Sequence, residues 1–211
     1  MKLFDGIWAP SPRRVRIYLA EKGIDVPRES LDLRKAETDS PDYAAVNPRR
    51  LVPSLLLDDG TLIDDSVGIC RYFEALHPTP PLFGRDPTEI GQVESWIRRI
   101  ESDLYTPVTY AFRNKHAAFA GRAISGDWPE IAQIPALIER GELMWSACLD
   151  RIDAHLAARD WLVGAGFSFA DIAALVAVDF GASTKMPDPL SGRPNLARWH
   201  AAASARPSAG A

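Results

Sequence analysis

The sequence predicts a two-part fold: a small α/β domain over residues 1–77 and an all-α domain over residues 87–211, with a linker at 78–86. Three observations predict it. Short strand-like and helix-like runs alternate as far as His77. Pro78, Pro80, Pro81 and Pro87, with Gly84 among them, then punctuate the chain as a linker does. From Pro87 onward apolar residues recur only at helical spacing.

Within the first part, Lys2 to Phe4 reads as a strand. Pro12 to Lys22 reads as a helix with Val15, Leu19 and Ala20 inward. Ser11 stands at its N-cap and Gly23 at its C-cap. Pro27 to Leu33 alternates weakly as a second strand. Pro41 to Val46 is a short helix halted before Asn47-Pro48. Ser54–Leu57 and Thr61–Ile63 flank the turn Asp58-Asp59-Gly60 as a hairpin. Asp65 to Leu76 closes the domain as a helix with Val67, Ile69, Cys70, Phe73 and Leu76 apolar. The order β-α-β-α-β-β-α is that of the thioredoxin fold.

In the second part, Ile90, Val93, Ile97, Ile100, Leu104 and Val108 mark one amphipathic helix, which Pro107 should kink. A second helix runs from about Pro135 to Ala158, with Leu137, Leu143, Met144, Ala147, Cys148, Ile152 and Leu156 as its apolar stripe. Ser168 and Asp171 form a capping box, with Phe167 placed to staple against Ile172. The run from Ile172 to Phe180 is almost wholly apolar and reads as a central buried helix.

The 211 residues are 46% hydrophobic, so the chain can bury a real core. A net charge of −4 and a pI near 5.6 argue against a nucleic-acid partner, which usually needs a basic surface. No apolar run reaches the roughly 18 residues of a membrane span, and the N-terminus begins a strand at once without an apolar leader. Cys70 and Cys148 sit in apolar helical settings without metal-ligand or CxxC spacing. They read as reduced core residues of a cytoplasmic protein.

One passage carries chemistry: Asn47-Pro48-Arg49-Arg50-Leu51-Val52-Pro53-Ser54-Leu55, then, after the hairpin turn, Ile63-Asp64-Asp65-Ser66. Pro53 cannot donate a ladder hydrogen bond, which leaves the amide and carbonyl of Val52 available to a strand-like ligand. The Asp65-Ser66 step opens a helix, where free N–H groups and the helix dipole favour a carboxylate. A strand-mimicking clamp beside an anion pocket suits a small extended peptide bearing carboxylates.

This arrangement resembles the glutathione-binding half of the cytosolic glutathione transferase superfamily. The capping box resembles the one that opens the core helix of its C-terminal domain, and the ending from Arg193 through Ser208 resembles its last helix, so the likeness covers essentially the whole chain. The resemblance implies a cis Pro53 and pairing of Val52 with the cysteinyl part of glutathione. It implies capture of the γ-glutamyl end by Asp65 and Ser66, no metal requirement, and a homodimer. Many relatives carry a lysine or glutamine for the glycyl carboxylate where this chain has Leu51. Arg50 or Arg49 can take that place, with Arg50 the preferred candidate.

Glutathione chemistry needs a thiolate, and a free thiol titrates near pH 8.5. A hydroxyl and a helix N-terminus can lower that value. Ser11 is the only hydroxyl in the first turn, Gly6 to Arg16, so it is the candidate catalytic residue as well as the candidate cap. The turn holds no tyrosine and no cysteine, and Ala9 stands where many serine- or cysteine-type relatives place the reactive side chain. The position of Ser11 instead resembles that of classes that use an asparagine or a later serine, a serine- or asparagine-like first turn. Arg13 and Arg14 can aid the thiolate or bind a substrate anion; with Arg16 they otherwise read as a solvated, salt-bridged face. Tyr105, Thr109, Phe112 and His116 form a stripe beside the core stripe, and with Trp8 they are candidates for an apolar electrophile site or for packing. His77, His155 and His200 read as surface or packing residues.

The expected activity is conjugation of glutathione to a small apolar electrophile. Peroxidase, isomerase or ether-cleaving chemistry would use the same pocket. The alternative from another class is a non-catalytic interaction module of the same fold, which the retained Val52-Pro53 and Asp65-Ser66 pairs argue against.

Overall fold

The computed structural model describes residues 1–211. They divide into two compact units. One comprises Met1–Pro80 with Ser125–Asp127 and Ala211; the other comprises Pro81–Ile124 and Trp128–Gly210. No helix is long and apolar enough to cross a membrane.

The first unit is built on a four-stranded sheet of β1 (Lys2–Asp5), β2 (Arg28–Ser30), β3 (Ser54–Leu56) and β4 (Leu62–Ile63), in the order β2-β1-β3-β4. β1 runs parallel to β2 and antiparallel to β3, and β3 and β4 form the expected hairpin. The helices are α1 (Pro10–Lys22), α2 (Pro41–Val46) and α3 (Ser66–Leu76). Strand direction decides where chemistry can gather. The end of β1, the start of β3 and the end of β4 lie at one edge. Just past the β1–β3 ladder, Gly6 lies across from Val52.

Three local readings are corrected. α1 starts at Pro10, and its N-cap is Ala9 rather than Ser11. The first turn has amides without intrahelical acceptors, so Pro10 and Pro12 both fit there at no cost in helical bonds. Its buried face is Val15, Ile17, Tyr18 and Leu19, whereas Ala20 is exposed. β2 covers only Arg28–Ser30, because Leu33–Lys35 winds into a 3₁₀ turn capped by Asp32, whose Oδ1 accepts from the Arg34 amide at 3.0 Å.

The second unit contains α4 (Pro87–Arg99), α5 (Thr106–Lys115), α6 (Ala136–His155), α7 (Phe169–Ser183) and α8 (Pro194–Ser204). The α4 stripe is buried as expected at Val93 and Ile97 and continues through Ile100, Leu104 and Val108, whereas its first residue, Ile90, is 42% exposed. The irregularity is a π-helical stretch at Ile100–Tyr105, ahead of Pro107. There the Thr106 amide reaches back to the Glu101 carbonyl, which widens the ladder just before the residue that has no amide.

α6 is rotated from the predicted face. Gly141, Trp145, Cys148, Leu149 and Ile152 are buried, while Leu143 is 66% and Met144 40% exposed. Gly141 explains the rotation: a Cβ there would stand 2.7 Å from the Pro107 carbonyl oxygen, so only glycine lets α6 approach α5 this closely. Trp145 then lies on Gly181 of α7, where a Cβ would be 2.2 Å from its Cη2. The indole cannot yield easily, because it is fully buried and its Nε1 donates to the Pro187 carbonyl at 2.9 Å. Gly181→Ala is therefore expected to destabilise the fold by about 1–3 kcal/mol or more, lowering the thermal midpoint by several degrees. An unchanged midpoint in a thermal scan would show that the ring can move aside.

α7 is the buried central helix, with every residue from Phe169 to Val178 inside. The capping box of Ser168 and Asp171 is present. Phe167 takes as its partners Trp161, edge-on at 5.1 Å between centroids, and the Arg206 guanidinium at 4.3 Å.

Candidate functional site

The common edge of the sheet in the first unit gathers the first turn, the Asn47–Pro53 loop and the start of α3. The peptide bond between Val52 and Pro53 is cis. Leu51, just before it, is tightly held through its carbonyl. That oxygen accepts from Asn47 Nδ2 at 3.0 Å, from Ser54 Oγ at 3.1 Å and from the Tyr43 hydroxyl. Asn47 is fully buried, and its Oδ1 also accepts from the Arg49 amide at 2.9 Å. By contrast, no hydrogen bond in the structure uses the amide or carbonyl of Val52. Its side chain lies against the first turn, so a Cβ on Gly6 would meet Val52 Cγ2 at 3.0 Å.

Asp65 is the N-cap of α3, its Oδ1 accepting from the amides of Val67 at 2.8 Å and Gly68 at 3.0 Å. That leaves Oδ2 for another donor. Ser66 occupies the first helical position and is buried, and neither its hydroxyl nor its amide takes part in a hydrogen bond. A carboxylate can accept from both, and the end of the helix dipole favours it.

The first turn is stabilised by a pair the sequence hides. Arg16 Nη1 meets Asp5 Oδ1 at 2.7 Å with both side chains buried. The same guanidinium donates to the Ile7 carbonyl at 3.2 Å and the Ala211 carbonyl at 3.1 Å. Asp5 also accepts from the Gly6 amide at 2.7 Å. Arg14 is buried as well. Arg14 and Arg16 therefore do not belong to a solvated face; α1 packs on α3, and their stems are covered. Ser11, one residue beyond Pro10 in the first turn of α1, is partly exposed.

Other nucleophile and donor candidates are silent. Burial pushes the Cys70 thiol well above the usual range and the Cys148 thiol up to about 11. Desolvation, reinforced by its bond to Glu74 at 2.6 Å, pushes the Tyr18 hydroxyl up too. Both thiols thus favour the protonated form, and the Tyr18 hydroxyl donates to Glu74.

Arg50 sits at a φ of 55° and pairs with Asp127, Nη1 to Oδ1 at 3.3 Å. Its Nε is buried without an acceptor. Arg49 is engaged by Asp64 at 3.1 Å. Trp8 is 73% exposed, with the Arg34 guanidinium 5.6 Å from its ring centre.

In the second unit Phe112 is the centre of an aromatic cluster, with centroids at 4.9 Å from His116, 5.1 Å from Phe119 and 5.7 Å from Phe180. Tyr105 joins through Phe180 at 5.9 Å, and Thr109 turns its hydroxyl back to the Tyr105 carbonyl. His200 and His155 do have partners: His200 Nε2 lies 2.7 Å from Asp179 Oδ1, and His155 Nε2 lies 2.9 Å from the Leu162 carbonyl. Asp179 is too distant in sequence from His200 for spacing to reveal, and Leu162 lies beyond the end of the helix that carries His155.

The sequence matches the family Glutathione S-transferase, N-terminal domain, over residues 8–76. It matches Glutathione S-transferase, C-terminal domain, over residues 136–207. Glutathione S-transferase 2 of Saccharomyces cerevisiae is 33% identical over 99% of this chain and 87% of its own. The chain belongs to the cytosolic glutathione transferase superfamily. A glutathione S-transferase domain-containing protein of Marinobacter aquaeolei superposes with a TM-score of 0.88 at 31% identity, over 99% of both chains. A glutathione S-transferase of Methylobacillus flagellatus, solved with glutathione bound, superposes with a TM-score of 0.82 at 30% identity, over 98% of this chain and 96% of that one. The chain is thus a glutathione transferase with a thioredoxin-like N-terminal domain and a helical C-terminal domain, from a family that uses glutathione as cosubstrate.

Proposed function

We propose that this transferase conjugates the glutathione thiolate to a small apolar electrophile. The observation that carries the reading is the contrast at the cis-proline loop. The Leu51 carbonyl has three donors, while the adjoining Val52 amide and carbonyl have no partner. A rigid loop ending in an unused donor–acceptor pair suits an extended peptide ligand that pairs as a strand.

The cysteinyl part of glutathione pairs with Val52 beside Pro53. The γ-glutamyl carboxylate accepts from the Ser66 amide and hydroxyl, and its ammonium meets the remaining oxygen of Asp65. Arg50 Nε donates to the glycyl carboxylate. Ser11 donates its hydroxyl proton to the thiolate near the N-terminus of α1, and ionisation makes sulfur the nucleophile. The aromatic cluster around Phe112, with Tyr105 and Thr109, offers apolar surface for the electrophile, as Trp8 does in the first unit. Binding supplies proximity, and the ionised sulfur supplies reactivity. Two buried cysteines outside any disulfide fit a cytoplasmic setting, and the family habit favours a homodimer.

Calorimetric titration with glutathione tests the reading, one-to-one saturation being expected. Ser66→Ala should weaken binding by about tenfold, as loss of a hydrogen bond to a charged group does. Ser11→Ala should leave binding nearly intact and raise the pKa of the bound thiol, followed by thiolate absorbance against pH. The thiolate would then form only at higher pH, so the low-pH limb of the rate profile moves to higher pH. Absence of binding at several millimolar glutathione would sink the reading, and an unshifted thiol pKa would remove Ser11 from it.

A further inference from the structure

Three residues distant in sequence, Ser125–Asp127, pack as part of the first unit, and they do so on the loop that leads to Val52. The Asp127 amide donates to the Arg49 carbonyl at 3.1 Å. Gly126 adopts a φ of +97°, and a Cβ on it would stand 2.9 Å from the Arg49 oxygen and 3.3 Å from Leu51 Cδ2. The Asp127 carboxylate then takes Arg50 Nη1 at 3.3 Å. Arg50 itself is in the left-handed region at φ 55°, which side-chain-bearing residues seldom adopt without support from their surroundings.

We propose that Gly126 and Asp127 are positioning residues for glutathione: together they clasp the Asn47–Pro53 loop and aim the Arg50 guanidinium at the glycyl carboxylate. The loop is gripped twice. Tyr43, Asn47 and Ser54 hold the Leu51 carbonyl from within the domain, and the clasp holds the Arg49 carbonyl from the other chain segment. Arg50 lies between the two grips. Asp127 occupies only Nη1, which orients the planar fork while leaving Nε, buried and without an acceptor, for a ligand. An ion pair with side chains 38% and 55% exposed adds little stability, so the role of Asp127 is orientation rather than cohesion. The close backbone approach is what Gly126 allows.

The inference rests on the proposed role of Arg50, and the test separates the two. Dissociation constants are measured by calorimetry for glutathione and for γ-glutamylcysteine, which lacks the glycyl residue, on the full chain and its Arg50→Ala, Gly126→Ala and Asp127→Ala variants. Arg50→Ala should weaken glutathione by about tenfold and leave γ-glutamylcysteine unchanged. Asp127→Ala should weaken glutathione by about two- to fivefold, again with γ-glutamylcysteine unchanged, so the preference between the ligands narrows. Gly126→Ala, whose Cβ would crowd the Arg49 oxygen and Leu51, should weaken both ligands, glutathione the more, so the preference narrows again. If Gly126→Ala does not fold, Asp127→Ala carries the test alone, since it keeps the backbone contact. A wild-type chain that does not distinguish the ligands, or an Arg50→Ala variant that keeps the preference, overturns the role of Arg50 and the clasp with it. A collapsed preference in Arg50→Ala but an unchanged one in Asp127→Ala overturns the clasp alone. Equal weakening of both ligands in Asp127→Ala reduces it to a structural contact and overturns the proposal.

Discussion

Asp171→Ala is expected to cost this protein at least about 3 kcal/mol of stability, because each buried donor left without an acceptor costs about 1–3 kcal/mol. The carboxylate is fully buried. Its Oδ1 accepts from the Leu162 amide at 3.0 Å and Trp199 Nε1 at 2.9 Å. Its Oδ2 accepts from the Ser168 amide at 3.0 Å and the Ser168 hydroxyl at 2.8 Å. One side chain thus starts α7, ties down the loop before it and anchors the indole of α8. The hydroxyl can turn elsewhere; the three N–H groups cannot. Against a typical total of about 5–15 kcal/mol the loss is large. Asp171→Asn is expected to be only partly better, because its amide nitrogen must face at least one fixed N–H donor wherever it is placed. Urea unfolding checks both variants. A midpoint for Asp171→Ala within error of the parent would mean that water replaces the carboxylate, and the anchoring role would be withdrawn.

Arg16→Met is expected to be of similar size, about 3–5 kcal/mol, the cost of leaving one member of a buried ion pair alone. Asp5 would keep only the Gly6 amide, and the Ile7 and Ala211 carbonyls would each lose a donor. The damage falls on the turn that leads into α1, so glutathione affinity should fall along with stability. The double variant Asp5→Leu, Arg16→Met removes both charges and should recover part of the stability, as buried pairs replaced by apolar residues often do. A double-mutant cycle reads the coupling directly. Coupling near zero would show that the two groups do not depend on each other, whatever their separation.

The Val52-Pro53 and Asp65-Ser66 signals were legible because each is local. A proline without an amide and an acidic cap before a helix act through neighbours in sequence. The capping box at Ser168 and Asp171 was legible for the same reason, yet the two further donors to Asp171, the Leu162 amide and the Trp199 indole, were not. The start of α1 was misplaced because Ser11 before Pro12 looks like a cap, and so does Ala9 before Pro10 once two prolines share a first turn. The α6 face was misjudged because periodicity counts Leu143 and Met144 as apolar and gives Gly141 no weight. Close packing reverses that weighting: the missing Cβ decides which side meets α5.

The sequence by itself determined the order of elements, the helical character of the second half, and which short motifs offer unused backbone and hydroxyl groups. These depend on spacing within a turn or two. Only the tertiary structure decided that Arg16 is buried on Asp5, that Gly141 and Gly181 govern helix approach, and that Gly126 and Asp127 come to rest on the Arg49–Arg50 loop. Those outcomes depend on contacts between segments far apart in the chain, where steric fit and desolvation rather than local propensity decide which groups meet.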